Sequence, residues 1–73
     1  VSKMERQRVK SESIAEIGYD ATAEILEVLF ANGRLYHYFS VSQDAFERLM
    51  RAESHGKHLN ANIKSRHQYK QIR

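Results

Sequence analysis

Several things are missing from this chain, and each absence removes a class of protein. There is no cysteine among its 73 residues, so neither a disulfide nor a thiolate metal site can brace the fold. That absence is compatible with a reducing cytoplasm. Proline is also absent and glycine occurs three times, so no Gly/Ser or Pro-rich linker marks a second domain. No apolar run approaches the roughly 18 residues that a membrane helix needs, and no signal-peptide core is present. No internal repeat is found. The serines Ser11, Ser13, Ser40, Ser42, Ser54 and Ser65 lie in no nucleophile-elbow motif, and the acids show no spacing that pairs them in a cleft. The expectation is a non-catalytic protein without cofactor, metal, membrane or small-molecule substrate. Acids are missing altogether from residues 54 to 73.

What is there is one small domain, which at this length buries about 60% of its unfolded surface. The chain opens on Val1, and Met4 is a candidate natural start. The net charge is +3, unevenly laid out. Residues 14 to 53 hold seven acids and three bases, whereas Lys57, Lys64, Arg66, Lys70 and Arg73 close the chain with no acid between them. Such asymmetry suggests an anionic partner for the last third; the alternative is a solvated basic tail.

Residues 1–10 are polar and without clear period, and read as a flexible N-terminal segment; residues 11–73 form the domain. Ser13 to Tyr19 reads as a first strand with Ala15, Ile17 and Tyr19 on one face, and Ile14 as an exception to the alternation. Asp20 can close the short connection that follows by accepting from backbone N–H groups ahead of it. Residues 24–39 then place two apolar and aromatic runs around Asn32-Gly33, a strong hairpin signal.

Two registers are open for this hairpin. A two-residue loop sets Phe30 opposite Leu35 and puts Tyr36 and Tyr38 on the face of Glu27. A three-residue loop, Ala31-Asn32-Gly33, sets Phe30 opposite Arg34 and puts both tyrosines with Leu26 and Val28. The second groups the apolar residues and turns Glu27 and His37 away, and is favoured. It leaves Leu29, Leu35 and Phe39 on the other face.

Ser42 is a good N-cap, with Asp44 in the first turn. Ala45, Phe46, Leu49, Met50 and Ala52 recur at helical spacing, with Glu47 and Arg51 as an exposed i,i+4 pair. Gly56 is expected to end this helix or turn the chain in the left-handed conformation. A second short helix spans Lys57 to Lys64, with Leu59 and Ile63 inward and Lys57, Asn60 and Lys64 on the opposite stripe. Tyr69 and Ile72 are placed back on the sheet. The predicted architecture is α+β: a three-stranded antiparallel β-meander followed by two short α-helices packed on one face.

The order Ile17-Gly18-Tyr19-Asp20, then Leu26, Val28, Phe30, Asn32-Gly33, Tyr36-His37-Tyr38 and Val41, and after a helix Ala52, Ser54, Gly56, Asn60, Ile63-Lys64 and Tyr69, resembles the KTSC domain. That family is named for its occurrence at the C-terminus of some lysyl-tRNA synthetases, and also occurs as free-standing bacterial proteins. The resemblance runs from about Val9 to Tyr69, and its Tyr-x-Tyr hallmark is matched by Tyr36 and Tyr38. This chain departs from it in having Ser42 where the family usually has proline, and His58-Leu59 where an aromatic often precedes the asparagine. The resemblance implies RNA by association with the synthetases.

Tyr36-His37-Tyr38, with Phe39 and Tyr19, can be read as a stacking platform for bases or as a half-buried core. In the favoured register both tyrosines turn inward and His37 is the exposed member. Lys57, Lys64, Arg66, Lys70 and Arg73 are candidate phosphate contacts, with Asn60 adding hydrogen bonds. His55, His58 and His67 lack the further ligands that a zinc site needs. The expected function is a cytoplasmic RNA-binding accessory module. The alternative is a protein-interaction or homodimerisation module that uses the sheet face of Leu29, Leu35 and Phe39.

Overall fold

In the computed structural model, which describes residues 6–73, the chain crosses a single sheet five times. The strands are β1 (Arg6–Arg8), β2 (Ile14–Asp20), β3 (Ile25–Phe30), β4 (Leu35–Tyr38) and β5 (Tyr69–Gln71). They lie in sequence order, each antiparallel to its neighbour. The three central strands are those expected from the sequence, and the two edge strands are additional. Each edge strand has three residues and exposed side chains throughout. That is too short for an alternating pattern to register, and a backbone ladder requires no particular side chain. Within residues 1–10, read as flexible, Arg6–Arg8 pairs with Glu16–Gly18 and Val9 N–H donates to the Ala15 carbonyl at 3.2 Å; residues 1–5 lie outside the described residues.

The central hairpin adopts the three-residue loop. Phe30 N–H donates to the Arg34 carbonyl at 2.9 Å and Gly33 N–H to the Phe30 carbonyl at 2.9 Å. Asn32 Oδ1 accepts from Arg34 N–H at 3.0 Å, and Gly33 has φ +91°. The register Val28↔Tyr36 and Leu26↔Tyr38 follows, so the tyrosines share a face with Leu26 and Val28. In β2 the pairing shifts between Ile14 and Glu16. One extra residue there returns Ile14 to the face of Ile17, which accounts for its break in the alternation. Both isoleucines are buried. Asp20 Oδ1 accepts from Thr22 and Ala23 N–H groups, closing the β2–β3 connection.

Helix α1 (Gln43–Arg51) starts at Ser42, whose hydroxyl accepts from Ala45 N–H at 3.1 Å. Its exposed ion pair is Asp44–Arg48 at 3.0 Å; Arg51 Nε donates to the Glu47 carbonyl instead of meeting its carboxylate. Helix α2 (His55–His58), capped by Ser54, runs directly into a π-helical segment, Leu59–Lys64. Gly56 therefore sits inside a helix and not in a left-handed turn. Its role is close approach, since a Cβ there would lie 2.6 Å from Ser13 Oγ. Both helices cover one face of the sheet, where Leu49, Leu59 and Ile63 pack with Ile17, Leu26, Val28, Tyr38 and Val41. Burying each large apolar side chain stabilises the fold by about 1.5–3 kcal/mol. Tyr19 extends this core by stacking on Phe46 at 4.6 Å while its hydroxyl donates to the Val41 carbonyl.

Nothing lies within 4 Å of a Cβ built on Gly33, so the cost of a side chain there is backbone strain alone. Gly33→Val is expected to destabilise the fold by about 1–3 kcal/mol, because a β-branched residue resists positive φ. Gly33→Asn should cost less, since asparagine tolerates that region. Thermal melts of the two variants check this, and a valine variant as stable as the parent would contradict it.

Candidate nucleic-acid interface

Strand alternation decides which side chains can form a site. Phe30 on β3 and Arg34, Tyr36 and Tyr38 on the facing strand fall on the helix-covered side of the sheet. On β5, Tyr69 pairs with Tyr38 and Gln71 with Tyr36, which brings both to the same side. Tyr38 is 2% exposed and belongs to the core, whereas Tyr36 and Phe30 are half-buried and Tyr69 is 51% exposed. The rings form one cluster. Phe30 meets Tyr36 edge-on at 5.4 Å, Tyr36 lies 6.3 Å from Tyr38, and Tyr69 stands 5.7 Å from each tyrosine. Gln71 Oε1 accepts from the Tyr36 hydroxyl at 3.3 Å, which holds that ring in place.

The π-helical segment forms the opposite wall. Its i→i+5 bonding turns the chain less per residue than an α-helix does, so residues four apart lie more nearly in line. Leu59 and Ile63 are both buried, while Asn60 and Lys64 both face outward. These two, with Phe30, Asn32, Arg34, Tyr36 and Tyr38, line a groove of about 170 Å³. Among the described residues, its lining holds two cations and no acid.

The acids nearest in the sheet lie on its other face. There Glu27 Oε1 is 2.8 Å from His37 Nε2, and Arg6 Nε is 3.4 Å from Glu27 and 3.3 Å from Glu16. His37 and Lys70 are cross-strand partners on this face, so the sheet itself separates them from the groove. Of the expected phosphate contacts, Asn60 and Lys64 join Tyr36 and Tyr38. Lys57 lines a neighbouring cavity, and Arg66 a hollow shared with Asp44 and Arg48. Arg73 accepts from Leu35 N–H through its carbonyl at the end of the sheet. The five bases are therefore not one stripe, because the chain leaves the helix at Lys64 and reverses into β5. Of the apolar trio on the open face, Leu35 is buried and Leu29 and Phe39 are half-buried. Among the described residues, no three His, Cys, Asp or Glu side chains are placed to hold a metal ion, and no helix is long and apolar enough to cross a membrane. His67 Nδ1 lies 3.0 Å from the Phe39 carbonyl.

Sequence reasoning missed Phe30, Asn32 and Arg34 as lining residues of the site, and Tyr69 as the ring that stands beside it. For Phe30 and Arg34 the signal was available, since the three-residue loop that groups Tyr36 with Val28 also puts Arg34 and Phe30 on that side. For Tyr69 it was not, because β5 is too short to be seen.

Comparison with known proteins places the chain among relatives of similar size. A family model described as the KTSC domain matches residues 10–69. An uncharacterized protein of Stutzerimonas stutzeri is 39% identical over 64 residues, 88% of this chain and 90% of its own length. A protein of Tsukamurella paurometabola is 38% identical over 60 residues, 82% of this chain and 90% of that one. The crystal structure of a KTSC domain protein from Yersinia pestis matches with a TM-score of 0.93 at 34% identity. That match covers 97% of this chain and 100% of the other.

Burial, and then the neighbouring Tyr36 and Tyr69 phenols, push the Tyr38 hydroxyl up to about 12. An unfolded tyrosine ionises near 10. The folded protein holds this proton more tightly, so stability is full below about pH 10 and falls as pH rises from 10 to 12. Melting temperatures across that range should fall more steeply for the parent than for Tyr38→Phe. Parallel curves would show that the phenol ionises as freely folded as unfolded.

Proposed function

The chain belongs to the KTSC domain family, and we propose that it is a non-catalytic cytoplasmic module that binds single-stranded RNA in the groove between the β3–β4 hairpin and the π-helical segment. The observation that carries this reading is the meeting of half-buried aromatic rings and unopposed cations in the lining of one groove, with the exposed Tyr69 ring beside it. Tyr36 in the lining, and the exposed Tyr69 ring that stands beside it just outside the lining, offer faces on which a base stacks, worth about 1–3 kcal/mol per base. Lys64 and Arg34 stand at the rim, where a phosphate contributes affinity that depends on salt but not on sequence. Asn60 and the side-chain amide nitrogen of Asn32 supply donors between them. A duplex hides its base faces, so the aromatic wall selects unpaired strands. His37, Lys70 and Arg73 take no part in this groove, and Lys57 and Arg66 lie beyond its lining.

The test is binding of a short unstructured RNA from about 50 to 200 mM salt, with circular dichroism as the control for fold. Lys64→Ala with Arg34→Ala should flatten the salt slope by roughly 0.7 for each phosphate left without its cation. Tyr69→Ala should weaken binding at every salt concentration by about 1–3 kcal/mol and leave the slope alone. A parent that binds no RNA at the low-salt end, yet dimerises in light scattering, would shift the reading to association through the open sheet face.

A further inference from the structure

We infer that an RNA strand held in the aromatic groove continues over Asn60 into the neighbouring cavity, where Lys57 and Lys10 take a second nucleotide's phosphate and Glu12 and Glu53 face its base. This rests on the RNA reading of the groove and extends it to a second subsite. Asn60 lines both hollows, so the two meet at one residue. The second is the larger, about 320 Å³, and lies between the start of α2 and the loop at residues 10–13.

Its walls are held by their own hydrogen bonds. Ser11 Oγ accepts from Ser13 and Ile14 N–H groups, and Ser54 Oγ from Lys57 N–H. Gly56 allows the helix to press against Ser13. Lys57 and Lys64 are seven residues apart along the helical segment, at most about 10 Å at the α-helical rise of 1.5 Å per residue, since Leu59–Lys64 is π-helical and shorter along its axis. A stacked strand advances about 3.4 Å per nucleotide, so a strand touching both lysines spans more than one nucleotide. Glu12 and Glu53 also line this cavity. They repel phosphate, but a carboxylate accepts a hydrogen bond from the exocyclic amine of cytosine or adenine. Uracil has no such donor.

The experiment follows binding of 5′-AMP, the adenylate dimer and trimer, and the uridylate trimer by NMR titration. Affinity should rise from monomer to trimer for adenylates. Lys57→Ala should remove about two- to five-fold of the gain, the range of one exposed charge contact, and leave 5′-AMP binding unchanged. Glu12→Ala with Glu53→Ala, which removes both acceptors, should level the preference for the adenylate trimer over the uridylate trimer. All three side chains are exposed, so these variants keep the fold. If 5′-AMP binds and the trimer binds no tighter, or Lys57→Ala leaves the trimer unaffected, the groove stands and its extension falls. If none of the oligomers binds, the groove reading falls and takes the extension with it.

Discussion

A strand repeats every two residues, so the turn that precedes it decides which side chains it buries. In this protein that turn is Ala31-Asn32-Gly33, and three features set it: the backbone bonds of Phe30 to Arg34 and Gly33, the Asn32 side-chain clasp, and positive φ at Gly33. With one residue fewer, Tyr36 and Tyr38 would exchange places with His37 and Leu35. The core would then be without its enclosed tyrosine, the groove without its aromatic wall, and Glu27 without its histidine partner. Packing, site and charge layout thus share a single local cause.

The same parity sorts the charges. Glu16 and Glu27 are gathered on the open face, where Arg6 and His37 meet them. Arg34 and Lys64 face the groove, whose lining, among the described residues, includes no carboxylate. A small domain with a net charge of only +3 can therefore present one concave surface of a single sign. Segregation of this kind costs little, because the sheet stands between the two sets and exposed charges are screened over about 8 Å at physiological salt.

Much of this was readable in the sequence wherever a pattern repeats or a residue type has a conformational reason. The three central strands, the register of their hairpin, the Ser42 cap, the Asp20 turn and the inward pair Leu59 and Ile63 all follow from such signals. What was not readable has no periodic trace. The edge strands are three residues long, and the bulge that carries Ile14 inward looks in sequence like a flaw in the alternation. The π-helical winding of Leu59–Lys64 leaves the same apolar spacing as an α-helix would. Gly56 carries the signal of a turn but answers a contact with Ser13, distant in the chain. The basic residues do cluster in sequence, yet Lys70 and Lys64 end on opposite faces because the chain reverses between them.

The two edges of the sheet share a property. β1 presents Arg6 and Arg8, β5 presents Lys70, and neither strand contains an acid. An open edge invites the backbone of another copy, and joining β5 of one molecule to β1 of the next would propagate without closure into a fibre. Such a joint opposes like charges across the new ladder, which is unfavourable. Arg6 is engaged by Glu16 and Glu27, so among the described residues Arg8 on one edge and Lys70 on the other are left as the guard against such a joint. That guard is electrostatic, and salt weakens it. Raising ionic strength therefore removes part of what keeps copies of this fold apart.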